Sequence, residues 1–124
     1  MRSSSPPAVV LVGHGSKARG FDAALQKVAR QLRRERLYRD VCCAFLEVSA
    51  PSIPEAILFC VRRGAGEVRV LPYFVLTGKH VTRDIPRIVK EAAQQHRGEA
   101  RIVLCHYLGY HSDIVSVVKE RIDQ

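Results

Sequence analysis

The 124-residue chain has no tryptophan, and aromatic residues make up only 6% of it. A base-stacking platform for nucleic acid is therefore poorly supplied. No apolar run is long enough to span a bilayer. Residues 1–7 lack the apolar segment of a secretory signal. They read as a disordered leader ahead of a single domain over 8–124, and a cytoplasmic protein with no membrane partner is expected. The four cysteines, Cys42, Cys43, Cys60 and Cys105, form no CxxC and match no zinc spacing. They fall in apolar runs, as buried inert thiols in a reducing compartment do. Neither GxxxxGK[ST] nor GxGxxG occurs, so a nucleotide site has no support.

What is abundant is positive charge. Twenty Lys and Arg against twelve Asp and Glu give a net charge of +8, which suits an acidic partner. The run Arg30, Arg33, Arg34, Arg36 and Arg39 reads as a solvated basic helix end.

Apolar runs alternate with helical patterns. Strands are predicted at about 8–12, 40–48, 67–73 and 101–105. Helices are predicted at about 17–35, 52–63, 82–96 and 113–122, and the last should turn Ile114, Val117, Val118 and Ile122 inward. Ser52-Ile53-Pro54-Glu55 is a capping box with proline in the first turn, and Gly64 suits the position after the helix end. Ser112 is expected to cap the last helix. This βαβαβαβα order predicts an α/β fold: one four-stranded parallel sheet, order 2-1-3-4, with helices on both faces.

In such a sheet the loops after each strand share one edge, where ligands bind. His14 follows the first strand, flanked by Gly13 and Gly15. Glu47 ends the second, His80 follows the third and His111 the fourth. Imidazoles with a carboxylate suit Fe, Co, Ni, Cu or Zn ions, and imidazole also exchanges protons near neutral pH. Ligands from separate loops make an open site rather than a closed structural one. His96 and His106 read as structural or surface residues.

The segments Leu11-Val12-Gly13-His14-Gly15-Ser16, Ala44-Phe45-Leu46-Glu47, Leu71 to Val81 (through Gly78-Lys79-His80) and Leu108-Gly109-Tyr110-His111 together resemble the short sirohydrochlorin chelatases. Pro51 to Ala56 and Asp84-Ile85-Pro86 add to the likeness. The resemblance implies a lyase-class metal chelatase working without ATP and without a permanently bound cofactor. It would insert Co²⁺, Fe²⁺ or Ni²⁺ into sirohydrochlorin, an acidic tetrapyrrole on the sirohaem and cobalamin routes. His14 and His80 match the metal-handling pair, Glu47 the assisting acid, and His111 a histidine of the last loop. Relatives often carry a second acid where Ala50 stands, and a proline where Ser112 stands. An apolar cleft lined by Phe74, Leu76 and Val81 would hold the macrocycle, with Lys79, Arg83 and Lys17 pairing with its carboxylates. Longer members resemble two fused units and short ones homodimers, so a symmetric homodimer with sites beside the interface is predicted.

Three other readings compete. A non-catalytic Co or Ni carrier would use the same histidines. A ferrochelatase-like enzyme for a less carboxylated porphyrin fits the short length and the charge less well. A nucleic-acid-binding domain lacks both aromatics and a motif.

Overall fold

A computed structural model of the chain describes residues 5–124. The first four residues of the expected leader lie outside the described residues. The elements are β1 (Ala8–Gly13), α1 (Ala23–Glu35), β2 (Val41–Phe45), α2 (Ile53–Arg62), β3 (Glu67–Pro72), α3 (Ile85–Gln95), β4 (Arg101–Leu104) and α4 (Ser112–Ile122), with a π-helical turn at His80–Asp84 leading into α3. The four strands form one sheet in the order β2-β1-β3-β4, and every pairing is parallel.

The apolar run Ala8–Val12 takes the centre because it is buried on both sides. Ala8, Val10 and Val12 join Ile53, Ile57, Val68, Val70 and Ile85 in the core under α2 and α3. Val9 and Leu11 join Leu25, Ala29 and Phe45 in the smaller core under α1. Each Val, Leu or Ile so buried contributes about 1.5–3 kcal/mol. Helices thus lie on both faces.

Several boundaries differ from the sequence expectation. α1 starts at Ala23 rather than near Lys17, because Gly20 takes a left-handed conformation (φ 75°) that breaks the helical path. Phe21 nevertheless packs edge-on against Phe45, with centroids 5.2 Å apart. β2 stops at Phe45, where the Phe45 N–H donates to the Pro51 carbonyl and the chain bends away. Glu47 therefore lies in the following loop rather than at the strand's end.

The helical path before α3 begins at His80, two residues earlier than expected, and starts as a wide turn in which the Ile85 N–H donates to the His80 carbonyl. Pro86 explains the widening, since a proline ring crowds the carbonyl four residues back, here that of Thr82. His111, not Ser112, caps α4; its ring accepts from the Asp113 N–H at 3.1 Å. The largest departure is α4 itself. None of its residues is buried, so Ile114, Val117, Val118 and Ile122 do not face the core.

The capping box of α2 forms as expected. The Ser52 hydroxyl accepts from the Glu55 N–H at 3.3 Å, and the Glu55 carboxylate accepts from the Ser52 N–H at 2.8 Å. Gly64 follows the C-cap Arg63 with φ 100°. Of the cysteines, Cys43 and Cys60 are buried and Cys42 and Cys105 half-buried. The Cys42 and Cys60 sulfurs lie 3.6 Å apart, and burial pushes the Cys43 thiol up to about 11. Ser52→Ala should cost about 1 kcal/mol in urea denaturation. No change in the midpoint would mean that the cap does not hold the helix start.

Candidate metal centre

Three loops at the carboxyl edge of the sheet bring His14, Glu47 and His80 together. Each offers one ligand atom, and these atoms lie within 4.8 Å of one another. His14 Nε2 is 3.3 Å from a Glu47 carboxylate oxygen, and both side chains are about half exposed. The rings of His14 and His80 meet edge-on, with centroids 5.0 Å apart.

Local chemistry explains the meeting. The loop after β1 and the loop after β2 touch through backbone, with Leu46 N–H donating to the Gly13 carbonyl and Glu47 N–H to the His14 carbonyl, each at 3.1 Å. Gly15 makes that approach possible. Its φ is 106°, and a Cβ there would overlap the Glu47 carbonyl oxygen. Ser49 fastens the same two loops, accepting from the Ser16 N–H at 3.1 Å and donating to the Ser16 carbonyl at 2.9 Å. Between Glu47 and Ser49 the chain holds Val48 at φ 71°, a left-handed state that a β-branched residue enters only under constraint.

His80 is held from the other side. Its Nδ1 lies 3.0 Å from an Asp84 oxygen, while Arg83 donates to the other Asp84 oxygen at 3.2 Å. The Arg83 guanidinium, and then the His80 ring, hold the Asp84 carboxyl below its usual range. Engagement of one ring nitrogen by a carboxylate is the arrangement common to metal-ligating histidines.

Two imidazoles and a carboxylate on an open edge can take a divalent first-row ion while leaving coordination positions free. A cavity of about 330 Å³ opens beside His14, walled by Phe21, Leu25, Phe45, Tyr73 and Phe74. The larger concavity, about 680 Å³ between α1 and α2, holds none of the three residues.

A family model, CbiX, matches residues 8–124. The chain belongs to the CbiX family. It is 32% identical to the sirohydrochlorin cobaltochelatase of Sulfolobus acidocaldarius over 116 residues, covering 94% of this chain and 89% of that protein. It is also 32% identical to the chloroplastic sirohydrochlorin ferrochelatase of Arabidopsis thaliana, covering 92% of this chain but 50% of that protein. With the cobaltochelatase of Priestia megaterium the coverage is 94% of this chain and 38% of that protein. The chain thus spans half or less of these two longer relatives. The sirohydrochlorin chelatase SirB of Bacillus subtilis subspecies spizizenii, solved in complex with cobalt, superposes with a TM-score of 0.85 at 26% identity, over 95% of this chain and 50% of that one.

Within this CbiX-family fold the other predicted site residues are dispersed. Lys79 and Arg83 are exposed beside His80, and Arg83 is already engaged with Asp84. Leu76 is 81% exposed and Val81 is buried; Phe74 is half-buried. His111 is outside the metal group and serves as the α4 cap. Asp84 and Ser49 were not singled out from the sequence as site residues. The four-residue step from His80 to Asp84 becomes a signal only once His80 is placed on a helical turn; Ser49 has no sequence signature.

Gly15→Ala should cost more than about 1 kcal/mol of stability and separate His14 from Glu47, read by denaturation and by loss of Co²⁺ binding in titration calorimetry. Unchanged binding would contradict the close approach. Because its folded pKa is depressed, Asp84 contributes stability above the ordinary carboxylate value, lost as pH falls through the lower one. An NMR titration should give Asp84 a midpoint below about 3.9, and Arg83→Ala should raise it. A midpoint at or above that value would remove the charge pairing from the account.

Proposed function

We propose that this chain, as a single unit over 8–124, inserts Co²⁺ or Fe²⁺ into sirohydrochlorin without ATP, with Ni²⁺ as a third metal it can accept. The observation that carries the reading is the convergence of His14, Glu47 and His80 within 4.8 Å at the carboxyl edge. The names of its relatives, cobaltochelatases and a ferrochelatase, agree with it. On this reading the enzyme is a cytoplasmic lyase with no permanent cofactor, no nucleic-acid partner and no membrane partner. Among the described residues no helix is long and apolar enough to cross a membrane.

The chemistry follows from the donor set. Metal insertion exchanges two pyrrole N–H protons for one M²⁺. His14, His80 and Glu47 hold the incoming ion loosely, and each ligand the ion leaves behind becomes a base. Imidazole nitrogen takes a proton at neutral pH, so the group that releases the metal can receive the displaced proton. Asp84 fixes the His80 ring so that the nitrogen facing the substrate is constant. The macrocycle lies against Phe74 and Leu76. Its carboxylates pair with Lys79 and Arg83, and the net charge of +8 draws it in. Ala50 supplies no second acid, so the ion passes from Glu47 and the histidines directly.

The His14 and Glu47 side chains are each about half exposed at the sheet edge. The reading therefore includes a homodimer in which a second copy walls the cleft.

Anaerobic assays with sirohydrochlorin and Co²⁺ or Fe²⁺, followed by visible absorbance, should show turnover above the protein-free rate. His14→Ala and His80→Ala should each lower kcat/KM about 100-fold or more. Metal bound in stoichiometric amount without acceleration would replace the enzyme reading by that of a carrier. Asp84→Asn should weaken Co²⁺ binding or activity about 10–100-fold; wild-type values for both would remove Asp84 from the positioning of His80.

A further inference from the structure

Two thiols meet at the outer strand of the sheet, away from the metal centre. Cys42 stands on β2, at the end of the strand order, and Cys60 stands on α2. The register sets Cys42 beside Val10, on the side that α2 covers, and both pack with Cys60 in that core. The two sulfurs lie 3.6 Å apart. Cys60 is fully buried. Cys42 is half-buried and lines two concavities, of about 430 and 680 Å³. The pair therefore has one reachable sulfur and one sheltered sulfur. Cys43, the next residue, belongs to the opposite core, where its thiol approaches the Leu25 carbonyl at 3.9 Å.

The smaller concavity is basic. Arg33, Arg39 and Arg63 line it with Cys42 and one acid, Asp40. Arg33 donates to the Val41 carbonyl at 2.8 Å, Arg39 to the Arg63 carbonyl at 2.7 Å, and Arg63 to the Asp40 carboxylate at 3.1 Å. Each bond takes one N–H of a guanidinium that has five. The three side chains are thus anchored with donors to spare, a setting that suits carboxylates on a ligand. The surroundings also divide the labour between the thiols. The Cys60 thiol, donating to the Cys42 sulfur, holds Cys42 below its ordinary value, and the Arg33 guanidinium adds to this against burial and Asp40. The same bond, together with burial, pushes Cys60 up. The sulfur that opens to the cavity is therefore the one that favours the attacking thiolate form.

We propose that Cys42 and Cys60 form a reversible dithiol–disulfide site that reacts with small disulfides bearing carboxylates, Cys42 attacking and Cys60 resolving. In the first step the Cys42 thiolate attacks one sulfur of the ligand RS–SR. That S–S bond breaks, a Cys42–S–S–R mixed disulfide forms, and RS⁻ leaves and takes up the proton that Cys42 released. In the second step the Cys60 sulfur attacks Cys42 Sγ. The Cys42–SR bond breaks, the Cys42–Cys60 bond forms, and the second RS⁻ carries off the Cys60 proton. Two protein thiols are oxidised and one RS–SR is reduced to two RSH. The sulfurs need only close from 3.6 Å to about 2.05 Å. A reachable thiolate with a resolving cysteine in contact is the pattern of a redox-responsive site. The bond ties β2 to α2 and closes the chain over 42–60, the segment that carries Glu47 and Ser49. The site stands independently of the chelatase reading.

The test exposes the full, reduced chain to oxidised glutathione under argon with a metal chelator present, with uncharged hydroxyethyl disulfide as the comparison. Intact and peptide mass spectrometry follow the products, and far-UV circular dichroism checks the fold. The wild type should lose two hydrogens, with the bond mapped to Cys42–Cys60, and dithiothreitol should restore both thiols. Cys60→Ser, or Cys60→Ala should serine not be accepted in the core, should stop at one glutathione on Cys42. With that variant, oxidised glutathione should outpace hydroxyethyl disulfide by about ten-fold more than it does with a short single-cysteine peptide, and salt should shrink the advantage. A wild type that keeps its thiols, or that forms its bond elsewhere, overturns the pair. A folded Cys60 variant with no glutathione on Cys42 overturns the attacking role. An equal preference on protein and peptide overturns the arginine recognition of carboxylates.

Discussion

The structure turns on the close approach of two loops, the one after β1 and the one after β2. Glu47 N–H donates to the His14 carbonyl, and only a residue without a Cβ can stand at Gly15 against the Glu47 carbonyl oxygen. That contact brings two candidate metal donors, His14 and Glu47, within 3.3 Å of each other. The neighbouring features serve it: Ser49 fastens both loops, and Val48 absorbs the backbone strain that aims Glu47 back toward His14. The three candidate donors stand beyond the ends of the adjacent strands β2, β1 and β3, so the sheet order itself brings them together.

The third candidate donor is brought in by a different device. His80 stands on the π-helical turn before α3, with Asp84 one turn on as its carboxylate partner. A widened turn is where a side chain can be re-aimed without losing the backbone hydrogen bonds around it, and Pro86 supplies the reason for widening. One side of the centre is thus set by glycine and backbone, the other by a helix start and an ion pair. Arg83 ties this second side to the basic surface expected to meet an acidic macrocycle.

Much of the fold was legible because the signals were strong and local. The run Ala8–Val12 reads as a strand buried on both faces, the alternation of strands and helices fixes a parallel sheet, and the capping box marks α2. The gathering of His14, Glu47 and His80 at one edge followed from strand order alone. What was not legible depended on contacts distant in the chain. Gly20 ends the helical path ahead of α1, although Phe21 continues its periodicity and still packs on Phe45. The apolar stripe of α4 reads as an inward face, yet periodicity records only that a face seeks cover, not whose surface supplies it. His111 looks like a fourth donor from its place after β4, but its ring is engaged by the α4 N-terminus. Asp84 and Ser49 act through partners that spacing does not reveal.

The central claim is that His14, Glu47 and His80 form one metal centre. A crystal of the protein soaked in Co²⁺, with diffraction data collected on both sides of the cobalt absorption edge, tests it most directly. The account predicts one dominant anomalous peak within coordination distance of both imidazoles and the Glu47 carboxylate, absent from His14→Ala crystals. A peak at the Cys42–Cys60 thiols or at His111, with none among the three residues, would contradict it.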